Sequence, residues 1–595
     1  MSATAGPRVD PITVAVIGGA LTSIAVDMGY RLTRMSYSSI IRESEDFGCA
    51  IVDHERRQLC ESTQSTPLQS GPLQGYIEGI DRRFAEVGDA WRPGDVVIHN
   101  HPYYGASHQP DIAIVIPVFL GEELIGFSAT TAHHLDLGAL TPGTCGIVEA
   151  ADAFAEGLLL NAVKVEEAGR TVTSAWRIIA DNTRLPKLVL GDLEAQVAAA
   201  RLGEIRLLEL VERYGLETVR AASEVLMDQS EAALRQQIEA LPDGRYEATG
   251  TLDGFLDHPD PRYRELPIAV AITVEGSDMH VDLTGTAEQV DLPINMPLIG
   301  TVDIAILLTI RAILLDTRHH PPVQTNAGLF RPITFHAPEG SLANPTFPAP
   351  TIARFCPGNI VADTVMRALS QVRPDAVSAG VGNLKVISFS GRRNGQAWVY
   401  MDIVEGSYGG RAEKDGLDAV DTLYANTRNN PVEDIESHYP LRVRRYELAE
   451  GGGGAGRTRG GLGSIREFEF LDEGGVSVEG DGSATSPPGL FGGGSGTPGA
   501  ITLNPDGDRQ ELPSMAAFRK TRPGDVLRLT APSGGGYGIA TKREPELVRE
   551  DVRRGFLDAD AAATDYGVVL GPAPGLEIDP DATAERRTAL RAQEA

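Results

Sequence analysis

Histidines are concentrated in one short stretch of this sequence. Of the twelve in the chain, five lie within a span of 36 residues, and Asp111 and Asp136 stand among them. Neutral imidazole is the side chain that most often binds metals, so the cluster predicts a metal site. The alternative is that these histidines cap strand ends and bond to the backbone. The five are His99, His101, His108, His133 and His134.

A predicted β-hairpin brings part of this cluster together. Two apolar runs, 112–120 and 124–131, are separated by a short stretch that begins with Gly121, which is typical of a hairpin. The start and the end of a hairpin lie side by side. Asp111 and His133 could therefore face one ion, although they are 22 residues apart in the chain.

Two imidazoles and one carboxylate form a ligand set that suits Zn²⁺ first, with Mn²⁺ and Fe²⁺ as alternatives. A dedicated Ca²⁺ site would need more oxygen ligands. An open coordination position would let the ion polarise a carbonyl or activate water. Spacing alone does not decide whether His133 or His134 is the ligand. His99 and His101 form a second, weaker motif, because alternation along a strand would place both rings on one face.

Helices and further strands are predicted around the hairpin from the spacing of apolar residues. Asp10 and Pro11 are a favourable N-cap and first-turn pair for the first helix. The predicted helices are 12–34, 73–87, two between 192 and 240 that break near Gly215, 301–316, 359–372 and 545–556. The predicted strands outside the hairpin are 49–52, 95–99, 246–252, 268–274, 280–283 and 526–530.

These elements predict a multidomain α+β protein, since 595 residues exceed what one core usually supports. It has an N-terminal α/β metal-binding region with long helices and a C-terminal glycine-rich β region. We divide the chain into an N-terminal α/β metal-binding region (1–240), a mixed α/β region (241–390), a glycine-rich β region (391–540) and a C-terminal helix and tail (541–595). The tail has little to bury and is expected to be ordered only if it docks.

The charge of the chain argues against two classes of partner. A formal net charge of −29 opposes binding to nucleic acid or to an anionic membrane surface. The first residues do not resemble a signal peptide, so we expect a cytoplasmic location. Four cysteines without CxxC spacing predict free thiols, and any metal should be held by nitrogen and oxygen.

The sequence contains no nucleotide-binding motif in its usual structural context. There is no Gly-Lys dipeptide, so a P-loop cannot occur. Residues 451–456 and 494–499 match GxGxxG, but neither has a clear preceding strand and following helix. We interpret these glycines as tight turns, and any nucleotide chemistry must lie elsewhere.

Several longer motifs give the chain a resemblance to a known protein family. They are residues 45–53, 100–111, 132–138, 338–345, 426–440, 457–463 and 533–538. From residue 10 to 567 the chain resembles the hydantoinase B/oxoprolinase family. That family includes metal-bearing subunits of ATP-dependent hydantoinase, oxoprolinase, caprolactamase and acetone- or acetophenone-carboxylase type complexes.

The resemblance implies a ligand set for one divalent metal. The family pattern is an HxxD pair with a downstream histidine and an earlier aspartate, which gives the ligands Asp46, His108, Asp111 and His133 in this sequence. His134 and Asp136 are then predicted as catalytic residues, placed around the ligands or in the substrate pocket. The sequence departs from the family pattern at His101, where relatives commonly carry aspartate, so substrate identity should not be copied from a relative.

The resemblance also implies a function and a partner. The expected function is the β-type subunit of an ATP-dependent cyclic amidase, a hydrolase that opens a hydantoin, oxoproline or other lactam ring by cleaving its C–N bond. A hydantoinase A-type subunit would bind ATP and Mg²⁺ and activate the substrate, so a hetero-oligomer is expected. The alternatives are the metal-bearing subunit of an ATP-dependent ketone carboxylase and a non-catalytic scaffold with a structural metal.

Overall fold

The computed structural model describes residues 9–318 and 320–594 and has the predicted mixed α+β class. The helices are α1 (Pro11–Met35), α2 (Ser39–Arg42), α3 (Pro67–Ser70), α4 (Leu73–Val87), α5 (Thr173–Asp181), α6 (Pro186–Tyr214), α7 (Leu216–Glu239), α8 (Asp303–Leu314), α9 (Phe355–Leu369), α10 (Val432–His438), α11 (Pro545–Arg553), α12 (Ala559–Thr564) and α13 (Pro580–Glu594).

Seven strands of the N-terminal part form one sheet, in the order β2-β1-β5-β4-β3-β6-β7. All its strand pairs are antiparallel, so the predicted N-terminal α/β region is better described as α+β. The strands are β1 (Phe47–Asp53), β2 (Gln58–Glu61), β3 (Val96–His99), β4 (Asp111–Leu120), β5 (Glu123–His133), β6 (Val163–Glu167) and β7 (Arg170–Thr171).

Helices cover both faces of this sheet, and side-chain alternation along the strands decides which residue meets which helix. On β4, Ala113 and Val115 belong to the hydrophobic cluster that includes α4. The intervening Ile112 and Ile114 pack with residues of α6. The predicted hairpin is therefore confirmed as the central pair of a sheet that is buried on both sides.

The long helices follow the predicted pattern. Helix α1 begins after Asp10, whose carboxylate accepts hydrogen bonds from the backbone N–H groups of Ile12 and Thr13 at 3.0 Å. The break between α6 and α7 falls at Gly215, as expected. Helix α6 starts at Pro186, earlier than predicted, because proline is favourable in the first turn.

Helix α1 is the one described helix that is long and apolar enough, by length and composition, to cross a membrane. Here its face with Ile17, Leu21 and Ala25 is fully buried in the largest hydrophobic cluster. A core helix passes the same test of length and composition. The predicted cytoplasmic location stays a prediction.

The middle of the chain forms a four-stranded sheet, ordered β11-β10-β9-β8, against which α9 packs through the largest hydrophobic cluster. Only the β10–β11 pair in it is parallel. Its strands are β8 (Gly244–Gly254), β9 (Arg264–Glu275), β10 (Asp278–Asp282) and β11 (Ile333–His336). The proposed limits of the four domains stay a prediction.

Two antiparallel sheets in the C-terminal part share one hydrophobic cluster, so they pack face to face. Their orders are β13-β12-β16-β19 and β14-β15-β20-β17-β18. The strands are β12 (Lys385–Arg393), β13 (Gln396–Val404), β14 (Leu441–Leu448), β15 (Ser464–Phe470), β16 (Gly474–Gly480), β17 (Ala500–Leu503), β18 (Gln510–Leu512), β19 (Ala516–Thr521) and β20 (Val526–Thr530).

The glycine-rich segments beside this sandwich are not mainly turns, which corrects the prediction. Gly454 donates its backbone N–H to the carbonyl of Gly534, and Gly460 donates to Gly454, so several glycine segments lie side by side. A Cβ atom on Gly453 would lie 2.0 Å from the carbonyl oxygen of Gly460. These segments need glycine because their backbones touch.

The C-terminal tail is ordered and docked. Helices α12 and α13 lie beyond the predicted last helix, and Val548, Tyr566 and Val568 bury a small cluster there. The buried Arg543 pairs with Asp551 at 2.8 Å and with Asp415 at 2.6 Å. These ion pairs connect the tail to the region before β14, which the composition of the tail did not indicate.

Replacing Gly453 by alanine should lower the free energy of unfolding by about 1–3 kcal/mol, because the added methyl group has no space between two backbones. Gly507 provides the control, since a Cβ atom added there would meet no described atom within 4 Å. Gly507→Ala should change stability by less than about 0.5 kcal/mol. Urea unfolding of both variants measures this. Equal stability of the two variants would contradict the packing account.

Candidate metal centre

The end of the β4–β5 hairpin places two of the predicted ligands opposite each other. Asp111 is the first residue of β4, His133 is the last of β5, and the two are direct cross-strand partners. Opposed residues of an antiparallel pair project from the same face. His134 is one residue further and so points to the other face. The register therefore selects His133 as the partner of Asp111, which spacing alone could not do.

The third predicted ligand reaches the same point through a tight turn. The backbone N–H of Asp111 donates to the carbonyl of His108 at 3.2 Å, so the HxxD sequence folds back on itself. This places Nε2 of His108 3.0 Å from Oδ1 of Asp111. Nδ1 of His133 lies 3.1 Å from the same oxygen. His108, Asp111 and His133 are all buried and form a group that could hold a metal ion.

Hydrogen bonds to the other ring nitrogens fix the tautomers of both histidines. Nδ1 of His108 lies 2.8 Å from the carbonyl of Ile352, which can only accept, so Nδ1 carries the proton. The hydroxyl of Thr144 donates to the carbonyl of His134 at 2.7 Å and so accepts from Nε2 of His133 at 2.9 Å. Nε2 of His108 and Nδ1 of His133 are left with free lone pairs.

Three lone-pair atoms therefore converge without a proton between them. Nε2 of His108 is buried and makes no hydrogen bond of good geometry with any residue that the structure describes. Ligand atoms around a tetrahedral ion with bonds of about 2.1 Å lie about 3.4 Å apart, close to the separations from Asp111 Oδ1. The residues present thus fit a divalent cation, which would neutralise the mutual repulsion of these atoms.

Asp46 stands at the edge of this group. It directly precedes β1, and Oδ2 of its carboxylate lies 4.0 Å from Nδ1 of His133. The side-chain amide of Gln69 donates to Oδ1 of Asp46 at 2.9 Å and to Oδ1 of Asp111 at 2.8 Å. The structure thus brings Asp46 beside the three closely spaced residues, and its role as a fourth ligand stays a prediction.

Burial and charge keep the group ready to bind a cation. Burial lowers the pKa of His108 to about 4, and the guanidinium of Arg354 acts in the same direction. Burial alone would raise the pKa of Asp111, but the ring of His108, which is protonated at the low pH where this carboxyl would take up a proton, and the guanidinium of Arg354 hold that pKa well below its usual range. For Asp46, burial raises the pKa. At neutral pH, His108 is therefore neutral and Asp111 is ionised.

A cavity opens onto these residues, and its walls come from well-separated segments between residues 46 and 479. Its polar lining includes Arg354, from the turn before α9, and Glu479, from β16. Burial raises the pKa of Glu479 to about 7, and its carboxylate accepts one long hydrogen bond, from the backbone N–H of Gly146 at 3.4 Å. The remaining lining residues are Asp46, Leu68, His108, His133, Cys145, Ile352, Phe355, Val386, Met401, Ile403, Ala425 and Thr427.

Three residues at the site, Gln69, Arg354 and Glu479, are not marked by any pattern in the sequence. Arg354 donates to Oδ2 of Asp111 at 2.8 Å and is itself buried. Each of these residues lies outside the histidine cluster and comes from a different element. No local spacing marks them, because only the tertiary packing brings them to the hairpin end.

The two residues predicted as catalytic do not line this cavity. Nε2 of His134 lies 2.8 Å from the side-chain oxygen of Gln196 on α6. The carboxylate of Asp136 pairs with Arg184 at 2.8 Å and accepts a hydrogen bond from the hydroxyl of Thr183 at 2.9 Å. These contacts hold both side chains away from the cavity, and their catalytic role stays a prediction.

The HxH motif does not join the metal group. Nε2 of His99 lies 3.0 Å from the carbonyl of Tyr104, and Nδ1 accepts the backbone N–H of Ala162 at 3.1 Å. The ring of His101 packs against Tyr104 and Phe347. The simple alternative of a structural histidine is therefore correct for His99. As predicted, all four cysteines are free, and all are buried.

His108→Ala and Asp111→Ala should each lose the bound metal while the chain stays folded, because each substitution removes one of three ligands. The purified variants can be compared by elemental analysis, with circular dichroism as a test of folding. His280, which lies on β10 and bonds Thr334, supplies a matched control. If His108→Ala contained as much metal as His280→Ala, the assignment of the ligands would be wrong.

Metal should stay bound at pH 5 and dissociate near pH 4. Because the pKa of His108 in the folded chain is about 4, below the value of about 6.5 in an unfolded chain, protons compete for Nε2 only in that lower range. The stability contributed by neutral His108 is likewise complete above pH 6.5 and lost as the pH falls through 4. Metal content after dialysis at several pH values tests this, and complete loss at pH 5.5 would contradict it.

Comparison with known proteins agrees with the resemblance seen in the sequence. The family model described as Hydantoinase B/oxoprolinase matches residues 10–540. A protein assigned as the B-type subunit of a D-/L-hydantoinase, from Pseudomonas sp. strain NS671, is 57% identical over 98% of both chains. The beta subunit of caprolactamase from Pseudomonas jessenii is 31% identical over 94% of this chain and 96% of its own.

A solved structure extends this similarity to the fold. The crystal structure of ATP-dependent caprolactamase from Pseudomonas jessenii superimposes with a TM-score of 0.88 at 28% identity, over 98% of this chain and 100% of the matched chain. The sequence match and the structural match both cover nearly the whole molecule. The chain belongs to the Hydantoinase B/oxoprolinase family.

Proposed function

We propose that this chain is the B-type subunit of an ATP-dependent cyclic amidase, which opens a hydantoin or a related lactam ring by hydrolysis. The observation that carries the proposal is the convergence of His108, Asp111 and His133 at one wall of a cavity that also holds Arg354 and Glu479. The similarity to the B-type subunit of a hydantoinase over the full length supports the choice of substrate class.

The chemistry explains why ATP would be needed. A lactam is a resonance-stabilised amide with a poor leaving group, and transfer of a phosphoryl group from ATP to its oxygen makes the carbon open to attack by water. Water adds to that carbon, the C–N bond breaks and the phosphate leaves, so the products would be the ring-opened acid, ADP and inorganic phosphate. A divalent metal held by His108, Asp111 and His133 would supply a water of lowered pKa and polarise an oxygen of the substrate. Zinc is the first choice for this ligand set, with manganese and iron as alternatives.

The chain's own residues would position the substrate and move a proton. The guanidinium of Arg354 is held by two hydrogen bonds, from Nε to Ser107 and from one terminal nitrogen to Asp111. This places its positive charge close to where negative charge would develop on the substrate. Glu479, with a pKa of about 7, can hold a proton at neutral pH and give it to the ring nitrogen as the C–N bond breaks. Phe355 and Met401 belong to the apolar wall that would exclude bulk water.

Activation of the substrate would take place on a second protein. The two relatives named above are themselves subunits, one of B type and one of beta type, which supports an assembly of several chains. We propose a hydantoinase A-type partner that binds ATP and Mg²⁺. The sequence of this chain has no P-loop motif, which is compatible with that division of labour.

Co-purified with such a partner, the chain should open a hydantoin in a reaction that consumes ATP. Glu479→Gln should reduce kcat by about 100-fold or more with little change in KM, because glutamine keeps the shape of the side chain but has no acidic proton to give. Glu473→Gln, just before the start of the same strand, is the control and should keep full activity. Ring-opened product and ADP are measured together.

Three outcomes would each contradict a different part of the proposal. Incorporation of labelled bicarbonate into a ketone, without ring opening, would identify a carboxylase subunit. Full ring-opening activity after removal of the metal would leave the ion a structural role. Unchanged kcat in Glu479→Gln would remove this residue from the proton transfer while leaving the substrate class intact.

A further inference from the structure

One short loop makes contact with two of the three metal-binding residues. The backbone carbonyl of Ile352 accepts the Nδ1 proton of His108 at 2.8 Å. Two residues later, Arg354 donates to Oδ2 of Asp111 at 2.8 Å. Residues 351–354 therefore set the tautomer of His108 and the orientation of the Asp111 carboxylate.

This loop is held in place by a buried carboxylate. Oε1 of Glu156 accepts the backbone N–H groups of Thr351 at 2.6 Å and Ile352 at 2.7 Å. Glu156 is fully buried at the end of a short 3₁₀ turn, Ala153–Glu156. Gln109, next to His108, donates to the carbonyl of Ala153 at 2.6 Å, so the turn is bound to the hairpin side as well.

The two backbone N–H groups need this partner. Residues 351–354 belong to neither a strand nor the helix that follows. The N–H groups of Ala353 and Arg354 donate to backbone carbonyls, whereas those of Thr351 and Ile352 donate to Glu156. A buried N–H group without an acceptor destabilises the folded chain, so the loop would shift to bring these groups to another acceptor. Such a shift would move the carbonyl of Ile352 away from His108 and carry Arg354 with it.

We propose that Glu156 is a positioning residue for the metal centre: it holds the 351–354 loop, and through Ile352 and Arg354 it fixes the directions of His108 and Asp111. The inference rests on the proposed metal site. Glu156 is not among the residues that line the cavity, so its effect on the metal is transmitted through the loop. Partners of this kind typically change metal affinity by 10- to 100-fold.

The test compares metal affinity in folded variants. Glu156→Ala removes both backbone contacts and should weaken binding of Zn²⁺ at least tenfold in a chelator competition, and it should also alter the visible spectrum of the Co²⁺ form. Glu156→Gln keeps one acceptor oxygen for the loop. It should fold like the wild type and lose less affinity than Glu156→Ala.

A matched control separates positioning from general stability. Asp253 is another fully buried carboxylate that accepts backbone N–H groups, those of Ser483, Ala484 and Thr485, and it makes no bond to the 351–354 loop. Asp253→Ala should lower the free energy of unfolding but leave the Zn²⁺ affinity of the folded chain within twofold of the wild type. Urea unfolding gives the stability of each variant independently.

The outcomes distinguish this inference from the proposed function. If the wild type binds Zn²⁺ tightly and the folded Glu156 variants bind within twofold of it, the positioning role is overturned while the metal site stands. A loss of affinity in Asp253→Ala equal to that in Glu156→Ala would also overturn it. A wild type with no Zn²⁺ affinity would overturn the metal site itself.

Discussion

The structure depends on three unprotonated ligand atoms, from His108, Asp111 and His133, that lie close together in a buried site. Hydrogen bonds to Ile352 and Thr144 fix the tautomers of His108 and His133, so that the unprotonated nitrogens both face Oδ1 of Asp111. Without a cation this arrangement would be repulsive, and burying it would carry a large cost. A chain that holds these three atoms together at the end of one hairpin has an architecture suited to hold an ion.

The rest of the fold can be understood as the support of that arrangement. The hairpin register supplies Asp111 and His133, and the antiparallel sheet keeps them at a fixed distance. Gln69 and Arg354 donate hydrogen bonds to the two oxygens of Asp111, which compensates a buried negative charge. The C-terminal sandwich then closes the cavity with Glu479. Distant parts of the sequence are thus required by one site.

Local patterns are sufficient to predict the hairpin, the long helices and the three closely spaced residues of the site. Periodicity and capping are properties of short segments, and His108, Asp111 and His133 are connected by one hairpin. The sequence cannot separate His133 from His134, because that choice depends on register, which the pairing of the strands decides.

Residues brought in by long-range packing cannot be predicted in this way. Arg354 and Glu479 reach the cavity from elements far along the chain, and nothing in their neighbouring residues marks them. Glycine-rich composition is typical of turns, but segments whose backbones are in close contact are also rich in glycine. Composition therefore does not distinguish the two. The composition of the tail offers little to bury, although ion pairs through Arg543 dock it.

The most direct test of the central claim is a crystal structure of the metal-loaded chain, with anomalous diffraction recorded on both sides of the absorption edge of the metal. The account predicts one strong anomalous peak within bonding distance of Nε2 of His108, Nδ1 of His133 and a carboxylate oxygen of Asp111. It would be contradicted if that position held no peak, or if the ion lay instead at the acidic group of Asp53, Glu55 and Glu224.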